Sequence, residues 1–205
     1  QMPEIEGIDS FAGSATHTAR WPREGIDLAG KRVGVIGAGA TAVQVIQSIA
    51  PEVGHLSLFQ RTPNWCTPLQ NGPIDAETQR DLKRRADDIF ALCGETYAGF
   101  IHKLDECAGS EFSKEERWQR YETLYARGGF ALWLANYSDA FTNRDIAADI
   151  GEFLTQKIRE RIKDPAVAAK LIPMDHLFGT KRPPGETNYY EVFNLDHVEL
   201  VDLRE

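Results

Sequence analysis

The sequence is poor in cysteine, with three in 205 residues: Cys66, Cys93 and Cys107. They form no CxxC pair, and an odd number leaves at least one thiol unpaired within the chain. That argues against a disulfide framework or a structural zinc site, and reads as free thiols in a reducing compartment. Five histidines, among them His17, His55 and His102, fall at no ligand spacing such as HExxH, so no metal is expected. No apolar run approaches the roughly 18 residues that a membrane span needs. The opening QMPEIEGIDSFAGS lacks both the basic and the apolar region of a signal peptide. Positive charge is also short. With 23 Lys and Arg against 31 Asp and Glu, the formal net charge is −8, which makes non-specific nucleic-acid binding a poor expectation. What is present, 42% hydrophobic and 26% charged residues, is ordinary for a globular chain and unlike a disordered or fibrous one. The length suits one large domain, or one domain carrying an insertion. A soluble, cytoplasmic protein with neither membrane nor nucleic-acid partner is the expectation.

The chain divides by character. Residues 1–30 are rich in glycine, proline and polar residues, and read as an irregular lead-in. In KRVGVIGAGATAVQVIQSIAPEVGHLSLFQRTP, Val33, Val35 and Ile36 form a short apolar run that stops at Gly37, as a buried parallel strand would. Val43, Ile46 and Ile49, with Ala42 and Ala50, recur at helical spacing until Pro51 breaks the pattern. Leu56 to Phe59 reads as a second strand. Strand, glycine turn, helix and strand within about thirty residues make a βαβ unit. Between residues 74 and 172 charge is dense and helical spacing dominates, with Trp118, Tyr121, Leu124 and Tyr125 as its clearest example. DAETQRDLKRRADDIFALC predicts one helix, and SKEERWQRYETLYAR a second with Ser113 and Glu116 as a capping box. RDIAADIGEFLTQKIRERI predicts a third, and DPAVAAKLI a fourth with Pro165 in its first turn. A short helix around Tyr189–Phe193 and a strand at HVELVDL close the chain. The expected fold is α/β, a Rossmann-like parallel sheet formed by residues 31–73 and 173–205, interrupted by an α-helical subdomain over 74–172.

Gly37-Ala38-Gly39-Ala40-Thr41-Ala42 is a GxGxxA fingerprint, placed between a predicted strand and a predicted helix as the motif requires. Gly37 permits the tight turn, Gly39 lets a pyrophosphate approach the backbone, and Ala42 lets the helix pack closely on the strand. Phosphates would face the helix N-terminus, where free N–H groups and the dipole favour an anion. An NAD-preferring site places Asp or Glu at the end of the second strand, about 20 residues on, to hold a ribose hydroxyl. This sequence has Gln60-Arg61-Thr62 there. A guanidinium and a hydroxyl suit a 2′-phosphate, and the carboxylate that would repel it is missing, so NADP(H) is the expected cofactor. A solvated arginine at a strand end is the plainer alternative.

Phe11-x-Gly13-x-x-x-His17-x-x-x-Trp21-Pro22 has no chemistry assigned by composition, which would make Phe11 and Trp21 core anchors and His17 a satisfied histidine beneath a loop. The residues FAGSATHTARWP nevertheless resemble the FxGxxxHxxxW(P/D) fingerprint of Baeyer–Villiger monooxygenases, the class B flavoprotein monooxygenases. GKRVGVIGAGATAVQ, LFQRTPNW, and FGTKR followed by NYYEVFN are similar to further stretches of that family. The resemblance implies an NADPH-binding domain with a helical insertion. It makes Gly37, Gly39 and Thr41 the pyrophosphate turn, with Gln44 on the following helix. It makes Arg61, Thr62 and Lys181 contacts of the 2′-phosphate. Arg182 resembles the active-site arginine that holds NADP and stabilises negative charge at the flavin. His17 resembles a histidine that links and moves domains. Without the resemblance, Lys181-Arg182 would read as a solvated basic pair before a Pro-Pro turn.

The implied activity is conversion of ketones to esters or lactones with NADPH and O2 on FAD. The sequence carries one dinucleotide fingerprint, whereas the family carries an earlier one for FAD. The expectation is a fragment whose FAD site lies mostly in the FAD domain of the parent chain, inactive alone. A heteroatom-oxidising flavin monooxygenase and a non-catalytic NADP(H)-binding module are the alternatives; Pro22 and the Lys181-Arg182 pair favour the first reading over the heteroatom oxidisers.

Overall fold

The structure, a computed structural model, describes residues 5–204. The first four residues of the expected lead-in and Glu205 lie outside them. Strands β1 (Arg32–Ile36), β2 (His55–Gln60) and β5 (Val198–Asp202) form a parallel sheet in the order β1-β2-β5. Val33 stands opposite Leu56, and Leu56 opposite Val198. Helix α1 (Ala40–Ile49) crosses between β1 and β2 and buries Val43, Ile46 and Ile49 on the face that carries Leu56 and Leu58. Each of these aliphatic side chains contributes roughly 1.5–3 kcal/mol by leaving water. The βαβ unit therefore forms as its periodicity predicts.

The first strand differs from expectation. It was expected to be buried on both sides, yet only Val33 and Val35 are half-buried against the core, while Ile36 is 64% exposed beside exposed Arg32 and Gly34. A short apolar run has no period that distinguishes burial on one face from burial on two. Here β1 is an edge strand with one open face.

Helices α2 (Ala76–Arg84), α3 (Ala86–Glu95), α4 (Lys114–Arg127), α5 (Ala131–Leu134), α6 (Arg144–Arg161) and α7 (Pro165–Leu171) lie in sequence between two short strands, β3 (Thr67–Pro68) and β4 (Gly185–Glu186), which pair in parallel. The single helix expected over 75–93 is two. The chain leaves helical geometry at Arg85, with φ −98° and ψ 14°. Lys83 and Arg84 close α2 while Asp87 and Asp88 open α3, so each half complements its own dipole. Neither half buries a side chain that would hold them straight.

The other helices follow their sequence signals. Ser113 and Glu116 form the expected capping box, Asn143 caps α6, and Asp164 caps α7 with Pro165 at its start. Trp118 and Tyr125 meet Phe153 edge to face with ring centroids 5.7 and 5.8 Å away, and Tyr121 packs tilted on Phe153 at 5.7 Å. Buried Asp149 accepts from Arg117 Nε at 2.6 Å, Trp118 Nε1 at 3.0 Å and Tyr121 Oη at 3.3 Å, so its charge is fully partnered. The short helix expected near Tyr189–Phe193 is a 3₁₀ turn at Glu191–Asn194. Among the described residues no helix is long and apolar enough to cross a membrane.

Candidate cofactor site

The C-terminal ends of β1 and β2 lie side by side. Gly37 follows β1 with a φ of 103°, a conformation that a side chain would strain, and its N–H donates to the Phe59 carbonyl of β2 at 2.9 Å. Gly39 then caps α1 with no side chain to receive the first amides of the helix. A Cβ placed on Gly37 or Gly39 would meet nothing within 4 Å. Packing within the chain therefore does not demand glycine at position 39. Its absence of a side chain leaves the uncapped N–H groups open to an incoming anion. Thr41 and Gln44 are exposed on α1, and Ala42 packs against the core.

Arg61 and Thr62 follow β2 directly. Arg61 is exposed and makes neither hydrogen bond nor ion pair among the described residues. Its neighbour Gln60 is buried and donates to the Lys170 carbonyl at 2.9 Å, which fixes the strand end from which Arg61 projects. Lys181 and Arg182 arrive on a second loop laced to the first. Asn64 Nδ2 donates to the Arg182 carbonyl at 3.4 Å, Trp65 Nε1 to the His176 carbonyl at 3.1 Å, and the Thr67 N–H to the Pro184 carbonyl at 2.9 Å. Lys181 Nζ stands 3.8 Å from Asp175 and 3.5 Å from His176 Nδ1. The Asp175 carboxyl is held below its usual range by His176, with Lys181 a lesser cause. Arg182 is exposed, its guanidinium 5.9 Å over the Phe130 ring.

The residues present suit a phosphorylated dinucleotide: an uncapped helix start with a glycine cradle, then exposed cations on two laced loops and no carboxylate at the end of β2. A cleft of about 330 Å³ lined by Trp118, Glu152 and Arg159 lies on the helical unit instead, and has none of this chemistry.

The lead-in fingerprint is not part of this cluster. Phe11 and Trp21 are 64% and 40% exposed rather than core anchors. Gly13 lies under the Phe11 ring, where a Cβ would stand 2.6 Å from it. His17 Nδ1 accepts from the Ala19 N–H at 3.1 Å, and Pro22 is half-buried. Cys66 is buried, and burial pushes its thiol well up, so it is a packing residue rather than a nucleophile.

Known proteins are similar to this chain in sequence and fold. Over its whole length the chain is 46% identical to 2-oxo-Delta(3)-4,5,5-trimethylcyclopentenylacetyl-CoA monooxygenase of Pseudomonas putida, covering 39% of that protein. Over 99% of its length it is 40% identical to a Baeyer–Villiger monooxygenase of Pseudooceanicola batsensis, covering 37% of it. The fold matches a crystal structure of OTEMO in complex with FAD and NADP at a TM-score of 0.96, with 46% identity over all of this chain and 39% of that one. Over nearly its whole length the chain is similar to one part of Baeyer–Villiger and related monooxygenases. No family model matches it. It spans well under half the length of these relatives.

Sequence reasoning missed residues that tie this part together. Gln47 Oε1, one turn beyond Gln44 on α1, accepts from the Thr187 and Asn188 amides at 2.9 and 3.4 Å. Its spacing from Gln44 was the available signal, but nothing local named its partner 140 residues away.

Proposed function

We propose that the chain is the NADP(H)-binding unit of an FAD-dependent Baeyer–Villiger monooxygenase that converts ketones to esters or lactones with NADPH and O2. In this reading residues 31–73 and 173–205 form the dinucleotide-binding domain, 74–172 the helical insertion, and 1–30 the linker to the FAD domain. The observation that carries it is the uncapped first turn of α1 beside Arg61, which has no partner among the described residues. Gly37 and Gly39 give the pyrophosphate access to the backbone amides, with Thr41 and Gln44 on the flank. Arg61, Thr62 and Lys181 hold the 2′-phosphate. Arg182 holds the cofactor and places a fixed cation beside negative charge that develops during oxygen transfer. When bound, NADPH supplies a hydride and FAD the oxygen-activating ring; the protein groups orient them and stabilise charge. Relatives named for cyclopentanone and acetone support a ketone substrate.

Calorimetric titration of NADP and NAD into the chain tests this. NADP should bind and NAD should bind more weakly, and the chain with free FAD, NADPH and a cyclic ketone should form no ester. Failure to bind NADP would overturn the cofactor assignment, and ester formation by the chain alone would overturn its reading as one unit of a larger enzyme.

A further inference from the structure

Glu186 in β4 is fully buried, four residues after Arg182. Its carboxylate accepts from Arg161 Nη1 at 2.7 Å, Arg161 Nη2 at 2.9 Å and the Tyr189 amide at 3.1 Å. Arg161 closes the last turn of α6 and uses all its donors. Besides Glu186 it donates from Nε and Nη2 to Glu191 at 2.6 and 2.7 Å, and from Nη1 to Tyr125 Oη at 2.9 Å. Its guanidinium also lies 5.0 Å over the Tyr190 ring. Burial works against the charge, but the bonds to Glu191 and Glu186 more than offset it, and the guanidinium stays ionised. The end of the helix is pinned independently: Asn194 donates to the Arg161 carbonyl and accepts from the Lys163 amide, each at 2.8 Å.

A buried ion pair contributes little net stability over an apolar substitute, because desolvation cancels most of the attraction. What two bidentate contacts supply is a fixed geometry. That geometry is placed where it reaches the cofactor loops. On one side of Glu186, Thr187 is held by Gln47 of α1, whose first turn is the glycine cradle. On the other, Pro183 and Pro184 are buried and stiff, each with φ fixed by its ring and each restricting the residue before it. Gly185, between Pro184 and Glu186, is buried in β4, paired with Thr67 and packed against Leu69, so the position of Glu186 is passed back to Arg182 and Lys181 with little slack. The Leu69 amide donates to the Glu186 carbonyl at 2.7 Å, which fixes the same strand to the loop that follows Arg61.

We propose that Arg161 and Glu186 are positioning residues, a clamp by which the helical unit sets Lys181 and Arg182 against the phosphates of the cofactor. The clamp rests on the NADP(H) reading above. It gives the insertion a direct part in cofactor selection, with no contact to the cofactor itself.

The test is calorimetric titration of NADP and NAD into the chain and into Glu186→Gln, Lys181→Ala and their combination. Glu186→Gln should weaken NADP about tenfold and NAD less than about twofold, since NAD lacks the phosphate that Lys181 would meet. In the combined variant the two losses should not multiply, because a clamp that acts through Lys181 has nothing left to position. Equal losses for both cofactors, or losses that multiply, would overturn the clamp. If Glu186→Gln gives no cooperative melt, Glu191→Gln on the outer carboxylate replaces it. A selective loss of about threefold for NADP supports the clamp, and unchanged binding overturns it. Absence of NADP binding by the unsubstituted chain would instead refute the proposed function, which keeps the two failures apart.

Discussion

Helix α4 begins with a serine and a glutamate that bond its first amides, whereas α1 begins with a glycine that offers them no side chain. The same contrast runs through the charges of the two regions. In the helical unit, Asp149 is matched by Arg117, Trp118 and Tyr121, and Arg161 by Glu186, Glu191 and Tyr125. At the C-terminal edge of the sheet, Arg61 has no partner among the described residues, and Lys181 has only long contacts, to His176 at 3.5 Å and Asp175 at 3.8 Å. Folded chains pair the polar groups that they bury, as the helical unit does. Groups left open beside a glycine turn fit the proposed anion site. The difference supports the proposed placement of the cofactor on the sheet, although the helical unit contains the more elaborate polar networks.

Substitutions should separate the two regions by what they damage. The largest effect belongs to the helical unit. Asp149→Ala strips a nearly buried guanidinium of its partner and should cost about 3–5 kcal/mol of stability, read by urea unfolding, while the folded fraction keeps its NADP affinity. A loss of affinity with unchanged stability would reverse the contrast. In the longer parent enzyme, Arg182→Ala should slow ester formation by roughly a hundredfold, as removal of one oxyanion donor does, while NADPH still reduces the flavin. Equal ketone turnover in the variant would remove Arg182 from the chemistry.

Gly39→Val probes the cradle. The site has open space and an ordinary φ of −80°, so stability should fall by no more than the roughly 1 kcal/mol that a poor N-cap residue costs. NADP and NAD should both weaken by at least about tenfold, because the pyrophosphate common to both is displaced. A matching loss of stability would make Gly39 a structural glycine.

The smallest effect is a pH dependence. His102 has its Nδ1 buried without a partner among the described residues, and burial, with Arg127 adding repulsion, holds its ring below the usual imidazole range. The folded form therefore resists protonation more than the unfolded chain. Its contribution is complete above the ordinary value of about 6.5 and is lost as pH falls below it. His102→Gln should flatten the fall in melting temperature between pH 7 and 5; an unchanged slope would assign that fall to other groups.

Local chemistry made much of this legible in advance. The glycine fingerprint, the Ser113–Glu116 box and the Arg61-Thr62 strand end each carry their meaning within six residues. The break at Arg85 was also written locally, in a run of bases followed by acids, but helical spacing across it was the louder signal. β3 and β4 were not legible, since two-residue strands have no periodicity to detect. Nor was the pairing of Arg161 with Glu186, 25 residues apart and on different elements. The open face of β1 was hidden for a further reason: an apolar strand reads the same whether one face or both are covered.

The most direct test of the sheet edge as the NADP site is calorimetric titration of both cofactors into the chain and into Arg61→Ala. A charge-assisted hydrogen bond to the 2′-phosphate is worth about 1.5–3 kcal/mol, so NADP should weaken by roughly ten- to over a hundredfold. NAD should change far less, and added salt should narrow the difference between the cofactors in the unsubstituted chain. Thr62 and Lys181 would retain part of the preference. An equal loss for NADP and NAD would contradict the assignment, because Arg61 would then support the fold or touch a part that both cofactors share.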